Sequence, residues 1–375
     1  MIIKHMKLDG FRKHEKEVEI TFSSEETYII GGNFKGKTTF VMAIIWCILG
    51  TNMRGNDKEN VINRNRNECT VELDFTDNNG NNRTLVRHKE RYGSNNNFVI
   101  LDDKIVKQQD LLAFYNDAPL LLSIMNPDYF RDMEPMKQRE IINSYLPNIQ
   151  LDDVIKKLSK DEQAEIKIPH NNVKLYIKDA ETEIKEMQDD IKNRKGKIDY
   201  AKEITSTANS LCHICKEKTI AVAGSDIQRM QTEIEMLEKE ISKAKVKVNI
   251  AKKLYFMTIQ EKMKIAKKYM PNVDIKFYEV VKTTGELKDC FKITRNGEEF
   301  YELSKSLKFV TMLELCSMLN HISGLKLPLI IDDSESYPDF TFNTKNYASQ
   351  LIILQAVKGK ELTISNSNKI LQAAA

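Results

Sequence analysis

Two runs of apolar residues with heptad spacing occupy the middle of the chain and limit its possible folds more than any other feature. Between residues 171 and 265, apolar side chains recur at alternating steps of four and three residues, with Arg194 as a polar interruption in the first run. This spacing is typical of a coiled-coil seam, and charged residues at most other positions keep each seam narrow. The pattern predicts two paired helices, each about 50–60 Å long at a rise of 1.5 Å per residue.

The stretch between the two runs predicts a loop at the tip of an antiparallel hairpin. Residues 206–226 include Ser, Asn and Gly, and we expect little helix there. The same stretch holds Cys212 and Cys215 in the order Cys-His-Ile-Cys. A long helical pair buried inside a globular domain is an alternative, but the narrow seams favour a projecting shaft.

Strand-like and helix-like segments lie on both sides of this hairpin. Residues 1–168 alternate the two patterns, and residues 269–375 return to them. We therefore predict an α/β fold in which residues 1–168 and 269–375 are the N- and C-terminal lobes of one globular head. Residues 169–268 would be the inserted antiparallel coiled coil, with residues 212–215 at its tip.

Composition excludes several classes of protein. The 375 residues carry a net charge of +3, which rules out histone-like basicity, so any contact with nucleic acid must come from local patches. Six cysteines are too few for a disulfide scaffold and favour a reducing compartment. The longest apolar run, Phe40 to Leu49, is shorter than the roughly 20 residues of a membrane helix, and the N-terminus lacks a secretory signal. We expect a cytoplasmic protein with no membrane contact.

A glycine-rich motif follows a short apolar strand and precedes an apolar helix. It matches G-x-x-x-x-G-K-[ST] and consists of Gly31, Gly32, Asn33, Phe34, Lys35, Gly36, Lys37 and Thr38. The glycines let backbone N–H groups wrap around phosphate, and the helix N-terminus favours anionic oxygen. Lys37 would neutralise the terminal phosphates, and Thr38 would hold Mg²⁺. The motif predicts a nucleotide site, against the alternative of a chance glycine-rich turn.

An acidic pair ends an apolar strand far along the chain. Asp332 and Asp333 follow Leu-Pro-Leu-Ile-Ile, where Asp332 would bind the Mg²⁺ shell and Asp333 would polarise the attacking water. Alone this pair is weak support, because acidic residues often end strands. Together with residues 31–38 it predicts an ATP-hydrolysing centre.

The Cys-x-x-Cys pair supplies two thiolates that can share one Zn²⁺. Two ligands do not fill a tetrahedral site, so Cys212 and Cys215 of two chains meeting tip to tip would close it. A redox dithiol needs a strand–helix context that is missing here, and two unligated thiols remain an alternative. The interpretation we favour is a zinc-bridged dimer contact.

Together these motifs resemble the SMC-like ABC ATPases, and most closely the SbcC-type zinc-hook ATPases of DNA double-strand-break repair. The resemblance spans the opening strands (Lys-Leu-Asp-Gly-Phe-Arg), the glycine-rich motif, the Cys-tipped hairpin and the Ile-Ile-Asp-Asp strand. It implies an ABC-type P-loop head that binds ATP and Mg²⁺, dimerises on ATP and acts on double-stranded DNA without sequence preference. It also implies an SbcD-like nuclease partner, since this chain has no nuclease motif. The short shaft is similar to compact forms from bacteriophages, which would place the protein in an infected host or near the nucleoid.

The resemblance assigns further residues and exposes departures. Ser304, in Leu-Ser-Lys-Ser, matches the serine of the family's signature loop, which contacts the γ-phosphate held by the other subunit, but both glycines of that loop are replaced. An ordinary helix N-cap is the alternative for this serine. Arg12 and Thr39 fall among the nucleotide-binding positions, and Asn126 is the nearest counterpart of the Mg²⁺-binding glutamine. Asp333 replaces the usual glutamate, and the family's histidine is absent, with Gln355 near that point, so we expect slow hydrolysis.

Basic residues concentrate on the returning arm of the hairpin. From Lys239 to Lys268 there are ten lysines against Glu240 and Glu261, which predicts a track for the DNA backbone, although exposed lysines on a coiled coil are usually only solvated. Three alternatives to the SbcC-like function remain. They are a RecF- or RecN-like repair ATPase without a hook, a nucleotide-gated scaffold with little hydrolysis, and a defence-system ATPase with another effector.

Overall fold

The computed structural model describes residues 1–57, 60–92, 97–115, 117–169, 172–207, 213–281, 287–337 and 347–366. The strands are β1 (Ile2–Asp9), β2 (Val18–Thr21), β3 (Glu26–Gly31), β4 (Glu68–Thr76), β5 (Asn82–Glu90), β6 (Phe98–Leu101), β7 (Lys104–Ile105), β8 (Val273–Val280), β9 (Leu287–Arg295), β10 (Glu298–Glu299), β11 (Leu329–Ile331), β12 (Leu351–Ala356) and β13 (Thr363–Ser365). The helices are α1 (Lys37–Leu49), α2 (Gln108–Tyr115), α3 (Ala118–Met125), α4 (Pro127–Asp132), α5 (Pro135–Tyr145), α6 (Leu151–Ile155), α7 (Lys160–Glu165), α8 (Val173–Thr207), α9 (His213–Lys267) and α10 (Lys305–Ser323).

The described chain divides into two compact units. The first consists of residues 1–147, 263–276 and 291–375, and the second of residues 148–262 and 277–290. Both ends of the sequence therefore contribute to the first unit, and the long helices belong largely to the second. This confirms the predicted fold class, a mixed α/β head built from N- and C-terminal segments with an inserted helical hairpin. The domain boundaries at residues 168 and 268 stay predictions.

One sheet of the first unit brings the two ends of the chain together. Its strand order is β11-β12-β3-β13, with β3 parallel to β12 and antiparallel to β13. Strands β11 and β12 are also parallel. Buried side chains of β3, β11 and β12 pack against α10 in one core cluster, which includes Tyr28, Leu313, Ile331 and Ile353. These strands are nearly continuous apolar runs because a parallel sheet covered by helices is buried on both faces.

A second sheet has the strand order β2-β1-β4-β5-β6-β7, and each neighbouring pair of its strands is antiparallel. Its strand β4 alternates buried and half-buried side chains, which is typical of a sheet with one solvated face. Helix α1 contacts β4 and β5 of this sheet as well as β3 and β12 of the other. This explains why α1 is apolar on all sides, with ten of its residues buried.

The second unit contains the predicted antiparallel helix pair. The seam of α8 and α9 is formed by residues at seven-residue intervals, namely Ile184, Ile191, Ile198, Ile234, Ile241 and Val248. Ion pairs join Lys195 to Glu238 and Lys252 to Glu181, so partners move in opposite directions along the two helices. The interruption at Arg194 is filled by ion pairs with Asp190 and Glu233. Near residue 250 the seam continues into a cluster with α6 and the segment that follows it.

The expectation of little helix in residues 206–226 is wrong where the structure describes them. Helix α9 begins at His213 and runs without a break through Gly224 to Lys267. A single helical glycine costs about 1 kcal/mol relative to alanine, which Ala, Lys and Glu neighbours and a long helix can offset. Residues 208–212, including Cys212, lie outside the described residues.

A third sheet has the strand order β10-β9-β8.

Among the helices within the described ranges, none combines the length and the apolar character that a bilayer-crossing segment needs.

The two large sheets of the first unit are joined by one buried side chain. Gln350, which is 0% exposed, immediately precedes β12. Its Oε1 accepts from Ile3 N at 2.9 Å, and its Nε2 donates to Ile3 O and Ser23 O, each at 2.7 Å. These bonds satisfy backbone groups of Ile3 in β1 and of Ser23 after β2, which would otherwise be buried without partners.

We predict that Gln350→Leu lowers the free energy of unfolding of the first unit by about 2–4 kcal/mol, because it leaves buried backbone groups without hydrogen bonds. Denaturant unfolding followed by the fluorescence of Trp46, the single tryptophan, measures this effect. Gln355→Leu on the same strand is the matched control, since Gln355 Oε1 has no hydrogen-bond partner within the described residues. Equal destabilisation by the two substitutions would contradict the role given to Gln350.

Candidate nucleotide-binding site

The glycine-rich loop begins where β3 ends. Strand β3 is buried from Thr27 to Gly31, and helix α1 begins six residues later at Lys37. The parallel neighbours β12 and β11 end at the same edge of the sheet, after Ala356 and Ile331. In an open α/β sheet this carboxyl edge is where ligands bind. The sheet thus collects the loop and the residues that follow β11 and β12 at one place.

Close backbone approaches explain the glycines of the loop. Gly36 has a φ of 89°, and a Cβ atom there would lie 3.0 Å from His14 Nε2. Gly32 donates its N–H to Lys360 O at 2.7 Å, and a Cβ on Gly32 would lie 3.3 Å from that same oxygen. Gly31 O accepts from Val357 N at 3.1 Å. The loop is therefore held from one side by the segment after β12, which sequence reasoning did not identify.

The loop leaves the N-terminus of α1 available to an anion. Gly36 is the N-cap residue, and no side chain among the described residues caps this helix. The first N–H groups of a helix lack partners within the helix and carry partial positive charge. Lys37 Nζ donates to Gly31 O and Gly32 O, each at 3.1 Å, and so lies over the loop. A phosphate bound there would meet both the helix N-terminus and this ammonium group.

Thr38 and Asp332 come from opposite ends of the chain and meet at this edge. Thr38 Oγ1 donates to Asp332 Oδ2 at 3.3 Å, across a separation of 294 residues. Burial raises the pKa of Asp332 above its usual value, although the N–H of Asp333, which donates to Asp332 Oδ1 at 3.0 Å, opposes this rise. A hydroxyl and a half-buried carboxylate are oxygen ligands of the kind that Mg²⁺ prefers. The donor set therefore fits that ion.

Asp333 is the more exposed of the two acidic residues. Its backbone has a φ of 54°, in the left-handed region, and it caps the short 3-10 helix Ser334–Ser336. In that helix Glu335 accepts from Ala356 N at 2.9 Å, which ties the segment to the end of β12. Glu335 is a further carboxylate at this edge, which could have been suspected from its place three residues after Asp332.

Asn126 lies beside the acidic pair but its side chain is already engaged. It is 6% exposed, its Nδ2 donates to Met53 O at 3.2 Å, and its Oδ1 accepts from Asp128 N at 3.2 Å. Asn126, Asp128, Asp332 and Asp333 line one open cleft, together with Arg131. The role of Asn126 as a Mg²⁺ ligand stays a prediction.

Sequence reasoning missed Asp128, which follows Asn126 by two residues. Burial raises the pKa of Asp128, and the charge of Asp333 raises it further, against the lowering effect of Arg131. Asp128 and Asp333 line the same open cleft, which places this further carboxylate at the predicted site. No motif marked Asp128, but its position in the Asn-Pro-Asp segment was the available signal.

The remaining residues of the motif are largely exposed. Lys35 pairs with Glu361 at 2.8 Å, and Phe34 is 89% exposed with a φ of 64°. Asn33 is also exposed, whereas Thr39 is buried in the first turn of α1. An exposed aromatic ring at the loop is available to contact a ligand or a partner.

The segment after β1 lies against the loop. Arg12 has a φ of 50° and donates its N–H to Val61 O at 2.8 Å. Lys13 Nζ donates to Phe34 O at 3.2 Å. His14 stacks on Phe40 with ring centroids 4.6 Å apart. Lys13 and His14 adjoin the loop directly, and sequence reasoning named only Arg12 in this segment.

Ser304 is the N-cap of α10. Its side chain accepts from Leu307 N at 3.3 Å, which is the ordinary capping arrangement. The neighbouring Lys305 Nζ lies 5.8 Å from the centroid of the Tyr337 ring. The capping bond is compatible with a second contact from the same hydroxyl, so the signature role stays a prediction.

Cys215 is exposed in the first turn of α9. The other half of the pair, Cys212, lies outside the described residues, so the geometry of the predicted zinc site stays untested.

Parts of this sequence match a family model and a protein of known family. The family model described as AAA domain matches residues 5–310. The DNA replication and repair protein RecF of Clostridium acetobutylicum is 32% identical over 76 residues, which are 20% of this chain and 21% of that protein. The match therefore spans about a fifth of that relative.

Solved structures resemble the chain over nearly its whole length. The Smc head domain with an extended coiled coil from Pyrococcus furiosus is 13% identical, covers 100% of this chain and 98% of its own, and gives a TM-score of 0.45. A structure of the recombination mediator protein RecF with ATP is 15% identical, covers 96% and 92%, and gives a TM-score of 0.42. The family assignment depends on the family model, which matches well over half of the residues. The chain belongs to the AAA domain family of ATPases.

Proposed function

We propose that this protein is an SMC-like ATPase that binds and slowly hydrolyses ATP, dimerises its heads on ATP and so regulates the tethering or processing of DNA. The observation that carries the proposal is the meeting of Thr38 and Asp332 at the end of β3. The loop, the uncapped N-terminus of α1 and a half-buried carboxylate are the parts that a triphosphate with its metal ion requires.

The chain's own residues would divide the work as follows. Backbone N–H groups of residues 32–38 and the ammonium group of Lys37 would hold the phosphates. Thr38 and Asp332 would hold Mg²⁺, which neutralises charge on the phosphates when bound. Asp333 would orient and polarise the attacking water.

The expected turnover is slow. Asp333 has a shorter side chain than the glutamate of the family. Its backbone, at the edge of the site, is in the strained left-handed region. Glu335 is engaged with Ala356 N and is not aimed at the loop by that bond. A slow hydrolytic step suits a switch whose heads stay engaged while ATP is bound.

A second copy of the chain would complete the site. Ser304 at the N-terminus of α10 would contact the γ-phosphate held by the partner head, with Lys305 adding positive charge where the family has glycine. Such an arrangement couples ATP binding to dimerisation, because neither head alone supplies all contacts to the phosphate.

The hairpin would tether the two heads through its tip. Cys212 and Cys215 of two chains would share one Zn²⁺, which keeps the heads at high effective concentration while they engage and separate. The paired helices α8 and α9 support this proposal by supplying a long and regular hairpin.

DNA would be bound through the basic returning arm. Of the ten lysines between Lys239 and Lys268, Lys252, Lys253 and Lys267 pair with carboxylates of this chain. The others include Lys243, Lys245 and Lys247 on the exposed side of α9. Contacts of this type are sequence-independent and weaken steeply with salt. Cutting would fall to an SbcD-like nuclease subunit, and we place the protein in the cytoplasm.

A RecF-like repair ATPase is the second candidate. The 76 residues at 32% identity to RecF favour it. It would share the nucleotide chemistry proposed above but would need neither a zinc-bridged tip nor a nuclease partner. Zinc content distinguishes the two candidates.

Lys37→Ala is expected to weaken ATP binding by at least about 100-fold, because it removes the cation that faces the phosphates. Equilibrium binding of a fluorescent ATP analogue measures the affinity, and analytical ultracentrifugation with ATP measures dimerisation. Lys4→Ala, on β1, is the matched control, since Lys4 bonds to Asn82. A Lys37→Ala protein that still dimerises on ATP as wild type does would overturn the proposed head engagement.

Asp332→Asn is expected to abolish Mg²⁺-dependent hydrolysis yet to raise the free energy of unfolding without nucleotide, by about 0.5–2 kcal/mol. Burial raises the pKa of Asp332, so its ionisation costs more in the folded state than in the unfolded state. This cost is fully present above the raised pKa and vanishes below the ordinary aspartate value near about 4. Unfolding curves at several pH values should therefore converge at acid pH, and a constant difference would refute the explanation.

Zinc analysis of the metal-depleted and reloaded protein should give about one ion at the hairpin tips per two chains. This ion should be lost in Cys212→Ser/Cys215→Ser and kept in Cys290→Ser. Substitution of Co²⁺ should produce thiolate-to-metal charge-transfer absorption that depends on the same pair. A protein whose metal content ignores these two cysteines would favour the RecF-like candidate.

A further inference from the structure

A cluster of one histidine and two glutamates lies on the solvated face of the six-stranded sheet. Strands β4 and β5 pair so that Glu68 is opposite Glu90 and Thr70 is opposite His88. Residues two apart on a strand share a face, so all four side chains stand on the same side of the sheet. The cluster is separate from the nucleotide-binding loop and has no part in the function proposed above.

The ligand atoms converge on one point. His88 Nε2 lies 3.9 Å from Glu68 Oε2 and 4.0 Å from Glu90 Oε1. One ligand atom from each of the three residues lies within 4.8 Å of the other two. Ligands at about 2.1 Å from a tetrahedral ion are roughly 3.4 Å apart. Each histidine–glutamate distance must therefore shorten by about 0.5 Å, and the distance between the two glutamate oxygens by at most about 1.4 Å.

The imidazole of His88 is held in the orientation that a metal ligand needs. Its Nδ1 is 2.9 Å from Thr70 Oγ1, and its ring stacks on Phe98 with centroids 4.8 Å apart. When Nδ1 donates to the threonine hydroxyl, the lone pair of Nε2 points towards the two carboxylates. Fixing the second ring nitrogen in this way is the usual outer support of a histidine metal ligand.

The exposure of the three residues suits a surface ion with water ligands. The side chain of His88 is 12% exposed, that of Glu90 is 25% exposed and that of Glu68 is 53% exposed. The ring is thus the most enclosed of the three side chains, whereas the carboxylates are more exposed and can be reached by an ion from solvent. Water would complete the coordination from the solvated side.

Nearby positive charges are directed elsewhere. Arg66 pairs with Asp9 at 2.6 Å, and Arg91 donates to Arg66 O and Asn63 O. Lys89, between His88 and Glu90 in sequence, points to the opposite face, where its charge acts on Cys69. The charged groups of Arg66, Arg91 and Lys89 are therefore engaged away from the cluster.

We propose that Glu68, His88 and Glu90 form a binding site for a divalent transition-metal ion of the Zn²⁺ type. One imidazole nitrogen with two carboxylates selects Zn²⁺ or its neighbours over Mg²⁺ or Ca²⁺, which prefer oxygen ligands alone. The ion would join the first residue of β4 to the last residue of β5 and hold this end of the hairpin closed.

A second histidine on the same sheet provides a matched control. His5 on β1 also lies near two carboxylates, with Nε2 3.8 Å from Glu19 Oε2 and Nδ1 3.6 Å from Asp74 Oδ2. These carboxylates face different ring nitrogens, which point away from each other, so one ion cannot bind both together with the ring. The kinds of charged group are therefore matched, whereas the metal-binding geometry differs.

The test uses the full chain with Cys212→Ser/Cys215→Ser, so that thiolate sites at the hairpin tip do not contribute. Co²⁺ is titrated into metal-depleted protein without nucleotide and followed by its visible d–d absorption, and Zn²⁺ is then added as competitor. We expect about one Co²⁺ per chain, without thiolate charge-transfer absorption, displaced by Zn²⁺. His88→Gln should abolish this binding, and His5→Gln should leave it unchanged.

Thr70→Val separates ligand geometry from folding. It keeps the shape of the side chain but removes the hydroxyl that orients the ring, so Co²⁺ affinity should fall by about 10–100-fold. Glu90→Gln should weaken binding as well, and unfolding followed by Trp46 verifies that each variant is folded. The proposal is overturned if the Cys212→Ser/Cys215→Ser protein binds no Co²⁺, or if His88→Gln binds it as tightly as His5→Gln.

Discussion

The pairing of β3 with β12 is the interaction on which the rest of the first unit depends. It places a strand from the beginning of the sequence beside strands from its end, in parallel orientation. Because parallel strands end at a common edge, the loop after β3 and the acidic residues after β11 are brought together without any further device. Gln350 reinforces this arrangement from the other end of β12 by bonding to β1.

Much of this architecture is encoded in local sequence patterns. The glycine-rich motif and the Ile-Ile-Asp-Asp strand are specific because phosphate and Mg²⁺ restrict both residue type and spacing. The heptad seams predicted an antiparallel pair, since seven-residue intervals on both helices and a short connection leave few other arrangements. Even Arg194, an irregularity in the pattern, kept its seam position by forming ion pairs with Asp190 and Glu233.

Other features depend on tertiary structure and left little trace in the sequence. Asp128 joins the acidic cleft only because α4 and the residues after β11 line the same cleft, and Gln350 resembles any polar residue before a strand. The continuation of α9 through Gly224 was missed because helix-breaking residues were weighed singly, whereas a long helix tolerates one glycine. The cluster around His88 depends on the register of β4 and β5. A shift of one residue in that register would move its side chains apart.

The bracing of the glycine-rich loop by the segment after β12 also governs when the nucleotide cradle can form during synthesis. Gly32 bonds to Lys360, and Lys35 bonds to Glu361 across a separation of 326 residues. As the chain emerges from the ribosome, Lys35 of this loop is made 326 residues before its partner Glu361. The hairpin helices pair through contacts that are much closer in sequence than those of the loop. They can therefore form before the partners of the loop have been synthesised. A ribosome-bound intermediate would thus have its coiled coil folded before the glycine-rich loop gains its contacts with Lys360 and Glu361.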